Sequence, residues 1–111
     1  MLPTRYKLDP KLIPNLAKTG RKKINEILII KYLLNENLDF PKFAISISIK
    51  IDKKAVIRNR IKRKLRASII ELLQENPLNI RKGNYLLIVK TVNIKELDNN
   101  IIKNYLRELS Y

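Results

Sequence analysis

"AVIRNRIKRKLRASII", residues 55–70, contains no acidic residue, and its apolar positions recur at helical spacing. At 100° per residue, Ile57, Ile61, Leu65, Ile69 and Leu72 fall on one narrow stripe, the pattern of a helix docked by one side onto a sheet. The rest of its surface is cationic. From Lys53 to Arg66, eight of fourteen residues are Lys or Arg, and acids return only at Glu71 and Glu75. A solvated helix face ordinarily interleaves Glu and Lys four residues apart, each pair contributing roughly 0.2–0.5 kcal/mol. Cations near a helix start also oppose the macrodipole. A local rule broken without internal compensation points to compensation from outside the chain, and phosphates would supply it. Arg58 and Arg60 carry planar guanidinium forks suited to phosphate oxygens, while the Asn59 amide between them both donates and accepts.

Working outward, the segment before this helix reads as strands. "EILIIKYLLN", 26–35, is an apolar run of strand length, expected to be buried on both faces. "KFAISISIKI", 42–51, alternates: Phe43, Ile45, Ile47, Ile49 and Ile51 point one way, and Ala44, Ser46, Ser48 and Lys50 the other. The second of these faces is small, hydroxylated and cationic, so a nucleic-acid strand can lie close against it. The basic helix spans about 54–75 and stops before Pro77; "RKGNYLLIVKTV" then supplies a Gly-Asn turn and a strand from Tyr85 to Val92. Ahead of everything, Asp9 can cap a short helix with Pro10 at its first position and Gly20 at its end. A last helix is expected in "LDNNIIKNYLREL", capped by Asp98 or, one turn earlier, by an Asn93/Glu96 box, with Ile101, Ile102, Tyr105, Leu106 and Leu109 on its apolar side. The order is α-β-β(-β)-α-β-α, a small α+β sandwich.

The totals agree. A chain of 111 residues without repeats or Gly/Ser linkers reads as a single domain, 1–111. Twenty-four basic residues against ten acidic leave a net charge of +14, which favours a polyanionic partner. With neither cysteine nor histidine there are no disulfides, no thiolate or imidazole metal sites and no imidazole base. No apolar run reaches the length of a signal core or a membrane span, so a cytoplasmic nucleic-acid binder is expected.

The basic segment resembles the signature of the bacterial ribonuclease P protein component: Arg58-Asn59-Arg60, then Lys62-Arg63, then Arg66. The likeness extends to the "MLP" start, the short helix ending at Gly20, "FAISIS", "GNYLLIVK" and the C-terminal helix. It implies an α+β fold with a left-handed βαβ crossover through the basic helix, a connection that sequence patterning would not suggest, since such crossovers are nearly always right-handed. It further implies a ribonucleoprotein that removes the 5′ leader from precursor tRNA. In that family the catalytic RNA holds the magnesium ions and the protein assists without a tightly bound metal. Carried over, the resemblance assigns Lys53, Lys54, Arg58, Asn59, Arg60, Lys62, Arg63 and Arg66 to the RNA subunit. It assigns Tyr32, Ser46, Ser48, Lys50 and Lys90 to a cleft for the leader of the substrate. Tyr32 can stack on an unpaired base there or serve as a core tyrosine. No base stands near Ser46 or Ser48 to make either a nucleophile.

Two departures concern the cleft. Where the family's first helix usually carries two phenylalanines, this chain has Ile13 and Ala17 with Pro14 between; where Ser-Lys-Lys and a glycine often precede the signature helix, it has Ser48-Ile49-Lys50 and then Asp52. Two other readings share the composition. One is a plain RNA-binding module such as a small ribosomal protein. The other is a protein nuclease using carboxylate-bound metal, but the carboxylates are scattered and only Asp52 lies near the basic segment.

Overall fold

The computed structural model describes residues 3–24, 28–47, 54–75 and 80–90, together with Lys103, Asn104 and Arg107. After a 3-10 turn at Thr4–Tyr6, Asp9 accepts a hydrogen bond from the Lys11 amide at 3.0 Å and caps a second 3-10 turn, Pro10–Leu12. That turn runs directly into helix α1, Ile13–Thr19, with Pro14 in the first turn, where no intrahelical N–H bond is required. Gly20 ends α1 by donating its N–H to the Leu16 carbonyl at 2.9 Å. Its backbone is extended, so its value there lies in closeness: a Cβ would stand 2.5 Å from the Leu16 oxygen.

Four strands follow in chain order, β1 (Arg21–Ile24), β2 (Leu28–Leu34), β3 (Lys42–Ser46) and β4 (Gly83–Val89), with the 21-residue helix α2 (Ala55–Glu75) between β3 and β4. The strand that the sequence left optional is β1. In space the order is β1-β2-β4-β3; β4 pairs antiparallel with β2 and parallel with β3, so α2 is the crossover between two adjacent parallel strands. Lys103, Asn104 and Arg107 are helical, as expected for the last helix, whose apolar positions lie outside the described residues.

The alternation of the strands distributes side chains to two faces. On one, Leu28, Ile30, Phe43, Tyr85, Leu87 and Val89 meet Ile61, Leu65, Ile69, Leu72 and Leu73 of α2, all buried. Each such aliphatic side chain contributes about 1.5–3 kcal/mol on burial. Ile57, at the start of the stripe, is only partly covered. Ser68 lies within the stripe, fully buried, its hydroxyl satisfied by the Lys64 carbonyl one turn back at 3.0 Å. On the other face, Leu8 and Leu16 pack with Leu86, and Ile13, Ala17, Leu33, Ala44 and Ile88 border them.

Two local expectations are corrected. β2 is not buried on both faces: Leu28 and Ile30 are buried, whereas Ile29, Lys31 and Leu33 stay partly open, because the seven-residue α1 covers only part of their face. Gly83-Asn84 is not a turn but the first two residues of β4, paired with Leu34 and Leu33. Gly83 belongs there because a Cβ would stand 2.6 Å from the Leu33 oxygen. The described part of β3 ends at Ser46, with Ile47 beyond it.

Candidate nucleic-acid interface

The cationic face of α2 follows from the docking of its stripe. With Ile61, Leu65, Ile69 and Leu72 turned to the sheet, Asn59, Arg60 and Arg63 are exposed, and Arg58, Lys62, Lys64 and Arg66 are half-buried along the flanks. Lys54 is exposed just before the helix, and its carbonyl accepts the first helical bonds from Ile57 (3.1 Å) and Arg58 (3.2 Å). No acidic side chain occupies the first turn. Among the described residues, Arg60, Lys62, Arg63 and Arg66 form no ion pair. Lys53 lies outside the described residues, so the structure brings together seven of the eight positions expected to bind RNA on this helix.

The last two turns of α2 behave differently. Glu75 accepts from both Lys103 and Arg107, the latter at 3.1 Å, and Glu71 lies 3.6 Å from Lys103. Hydrogen bonds from Lys103 first, and from Arg107 next, hold the Glu75 carboxyl below its usual range. The reciprocal bond raises the Lys103 ammonium above its own. The acids of α2 are thus engaged in fixing the C-terminal helical segment, and among the described residues none pairs with Arg60, Lys62, Arg63 or Arg66.

The second surface is the sheet face beside α1. Strand register aligns Ile24, Ile29, Ile88 and Ser46 in one row across all four strands, through the pairs Ile24–Ile29, Ile29–Ile88 and Ile88–Ser46. The row lies on the α1 face and remains accessible: Ile24 is 59% exposed, Ile29 and Ile88 are partly buried and Ser46 is exposed. A neighbouring row holds Lys22 opposite Lys31. Lys31 donates to the Ala17 carbonyl at the end of α1, a favourable place for a cation. Lys90 follows β4 and is exposed. Ser48 and Lys50 lie outside the described residues.

Tyr32 does not join Ser46. Register places it in a row with Tyr85 and Phe43 on the α2 face, where the rings stack in series with centroids 5.9 and 5.3 Å apart and planes within 22° and 20°. The Tyr85 hydroxyl donates to the Arg81 carbonyl. Of the two roles open to Tyr32 from sequence, the geometry supports the core one. The isoleucine row, by contrast, escaped the sequence reading. Its signal was the alternation of Ile29, Lys31 and Leu33, hidden within a strand taken to be buried on both sides.

No three His, Cys, Asp or Glu side chains converge among the described residues, so those present do not fit a metal held by the protein itself. No helix among them is long and apolar enough to cross a membrane.

Fold and surface together define a small, strongly basic α+β protein built to present a cationic helix face beside an open sheet. The family model for ribonuclease P matches residues 3–110, and the chain belongs to that family. It is similar to the ribonuclease P protein component of Thermoanaerobacter sp., 34% identical over 90 residues that cover 81% of this chain and 72% of that protein. It is also similar to that of Microcystis aeruginosa, 65% identical over 60 residues, or 51% and 50% of the two chains. In several such alignments the chain spans about half the length of the curated relatives it matches. Among solved structures, the Thermotoga maritima RNase P protein superposes with a TM-score of 0.69 at 22% identity, covering 95% of this chain and 98% of that one, which is a likeness of fold.

Proposed function

We propose that this chain is the protein subunit of a ribonuclease P ribonucleoprotein, acting in the cytoplasm on precursor tRNA. In this reading Lys53, Lys54, Arg58, Asn59, Arg60, Lys62, Arg63 and Arg66 hold the catalytic RNA. Ser46 and Lys90 flank the path of the 5′ leader over the α1 face of the sheet, and Ser48 and Lys50 are assigned to the same leader from the sequence. The observation that carries it is the cationic face of α2, where Arg60, Lys62, Arg63 and Arg66 pair with no described carboxylate while Glu71 and Glu75 are engaged by Lys103 and Arg107.

The division of labour follows from chemistry. Among the described residues no three carboxylates gather, and this reading assigns hydrolysis and its magnesium chemistry to the RNA subunit. The protein contributes position and charge. Guanidinium forks and ammonium groups neutralise RNA phosphates that would otherwise repel the substrate, and the isoleucine row gives the leader an apolar floor without reading base identity. Tyr32, partly buried and stacked on Tyr85 on the α2 face, stands apart from this path.

Reconstitution with a ribonuclease P RNA tests this. At low magnesium, cleavage of precursor tRNA is expected to be stimulated by the protein, with no cleavage by protein alone. Absence of stimulation, with RNA and protein each folded, rejects the reading.

A further inference from the structure

The flank of α2 that carries Asn59, Lys62, Arg63 and Arg66 continues, at the same three- and four-residue spacing, into Ile70, Leu73 and Gln74. There the cations stop and a cavity of about 270 Å³ opens between α2 and the N-terminal arm, lined by Pro3, Arg5, Tyr6, Ile70, Leu73 and Gln74. Its volume is below the roughly 300–1,000 Å³ of sites for drug-sized ligands, which suits a single ring system. Of its lining side chains Pro3, Ile70 and Leu73 are wholly apolar, while Arg5, Tyr6 and Gln74 carry polar groups. The Arg5 guanidinium stands 5.0 Å from the Tyr6 ring centroid and 5.7 Å from that of Phe40; the two rings meet edge to face at 5.5 Å, and Phe40 is 41% exposed.

We propose that this cavity receives one unstacked nucleobase of the RNA bound along α2, an inference that rests on the RNA-binding reading above. Three features select a base. The Arg5 guanidinium and the Tyr6 ring, both in the lining, are planar groups on which any base can stack. Gln74 offers both a donor and an acceptor to a base edge. A lining with one cation and half of its side chains wholly apolar would not repay the desolvation of a phosphate. Ile70 lies one helical turn beyond Arg66, about 6 Å along the axis, so the base belongs to a nucleotide adjoining those gripped by the cations.

The test uses the full chain and a transcribed ribonuclease P RNA, with affinity measured across a salt series. Arg5→Lys keeps the charge and removes the planar face; Ile70→Trp fills the cavity. Each is expected to weaken binding by roughly tenfold, the scale of one lost base stack, while leaving the slope of log affinity against log salt unchanged. Because the chain has no cysteine, Gln74→Cys carries a unique aryl-azide label, expected to crosslink to one unpaired nucleotide. A steep wild-type slope with unaltered affinity in both variants and no crosslink overturns the cavity proposal alone; a side chain from a protein partner would give that result. A flat wild-type slope removes the RNA-binding reading, and the cavity proposal with it.

Discussion

The two halves of α2 share one apolar stripe and differ in where their charges find partners. From Lys54 to Arg66 the helix is acid-free, and Arg60, Lys62, Arg63 and Arg66 pair with no described carboxylate; from Glu71 to Glu75 the acids are held by Lys103 and Arg107. The second half closes its electrostatics on Lys103 and Arg107, whereas those four cations of the first half meet no described acid. A helix can therefore carry structure and recognition in series, provided that one stripe anchors both.

The comparison can be broken most severely at the stripe itself. Leu65→Ala should cost about 2–5 kcal/mol by urea unfolding, since Leu65 is fully buried between α2 and the sheet and its truncation leaves a cavity in the shared core. RNA affinity should fall only as far as the folded fraction falls. A stable Leu65→Ala chain would mean that the stripe does not anchor the cations.

A charge change in the first half should do the opposite. Arg63→Ala is expected to keep the unfolding midpoint within about 0.5 kcal/mol of wild type, because its side chain is exposed. It should lower RNA affinity and reduce the magnitude of the salt slope by about one. The same result is expected for Arg60→Ala. If either variant unfolds the chain, that residue is structural and the halves are not separate.

In the second half, Glu75→Gln should lower stability measurably without changing the salt slope for RNA, since it removes the negative charge and one of the two oxygens that accept from Lys103 and Arg107. The smallest effect is in pH. Glu75 titrates below its ordinary value of 4.5 in the folded chain. Its contribution is therefore complete above that value and lost as pH falls through the depressed one. Lys103 titrates above its ordinary 10.5, so its contribution is complete below that value and lost as pH rises through the raised one. Between these limits the stability from this contact should be flat with pH, and a midpoint in the neutral range would contradict the pairing.

How much of this is legible in the sequence depends on the range of the interaction. The stripe of α2 was readable because 3.6-residue spacing is local, and Ile61, Leu65, Ile69 and Leu72 are all buried as that spacing requires. The Asp9 cap and the stop at Gly20 were readable for the same reason. The place of β1 was not: "RKKI" is four residues, three of them cationic, and it becomes a strand by pairing with Ile29–Tyr32 at the sheet edge. The cations that hide it also guard that edge against pairing with other chains. Nor was the face of Tyr32 readable, since its row with Tyr85 and Phe43 exists only once the β2–β4 and β3–β4 registers are set.

The sequence by itself determined that this protein would own a helix with an apolar side and a cationic side, and that the cations would lack acids nearby. Periodicity and net charge are properties of the chain. Only the tertiary structure decided that Glu71 and Glu75 are engaged by Lys103 and Arg107, that Tyr32 faces the core, and that Ile24, Ile29, Ile88 and Ser46 form one open row. Each depends on which segments distant in sequence become neighbours. Pairing register in a sheet carries every side chain to one face or the other, and no local pattern contains it.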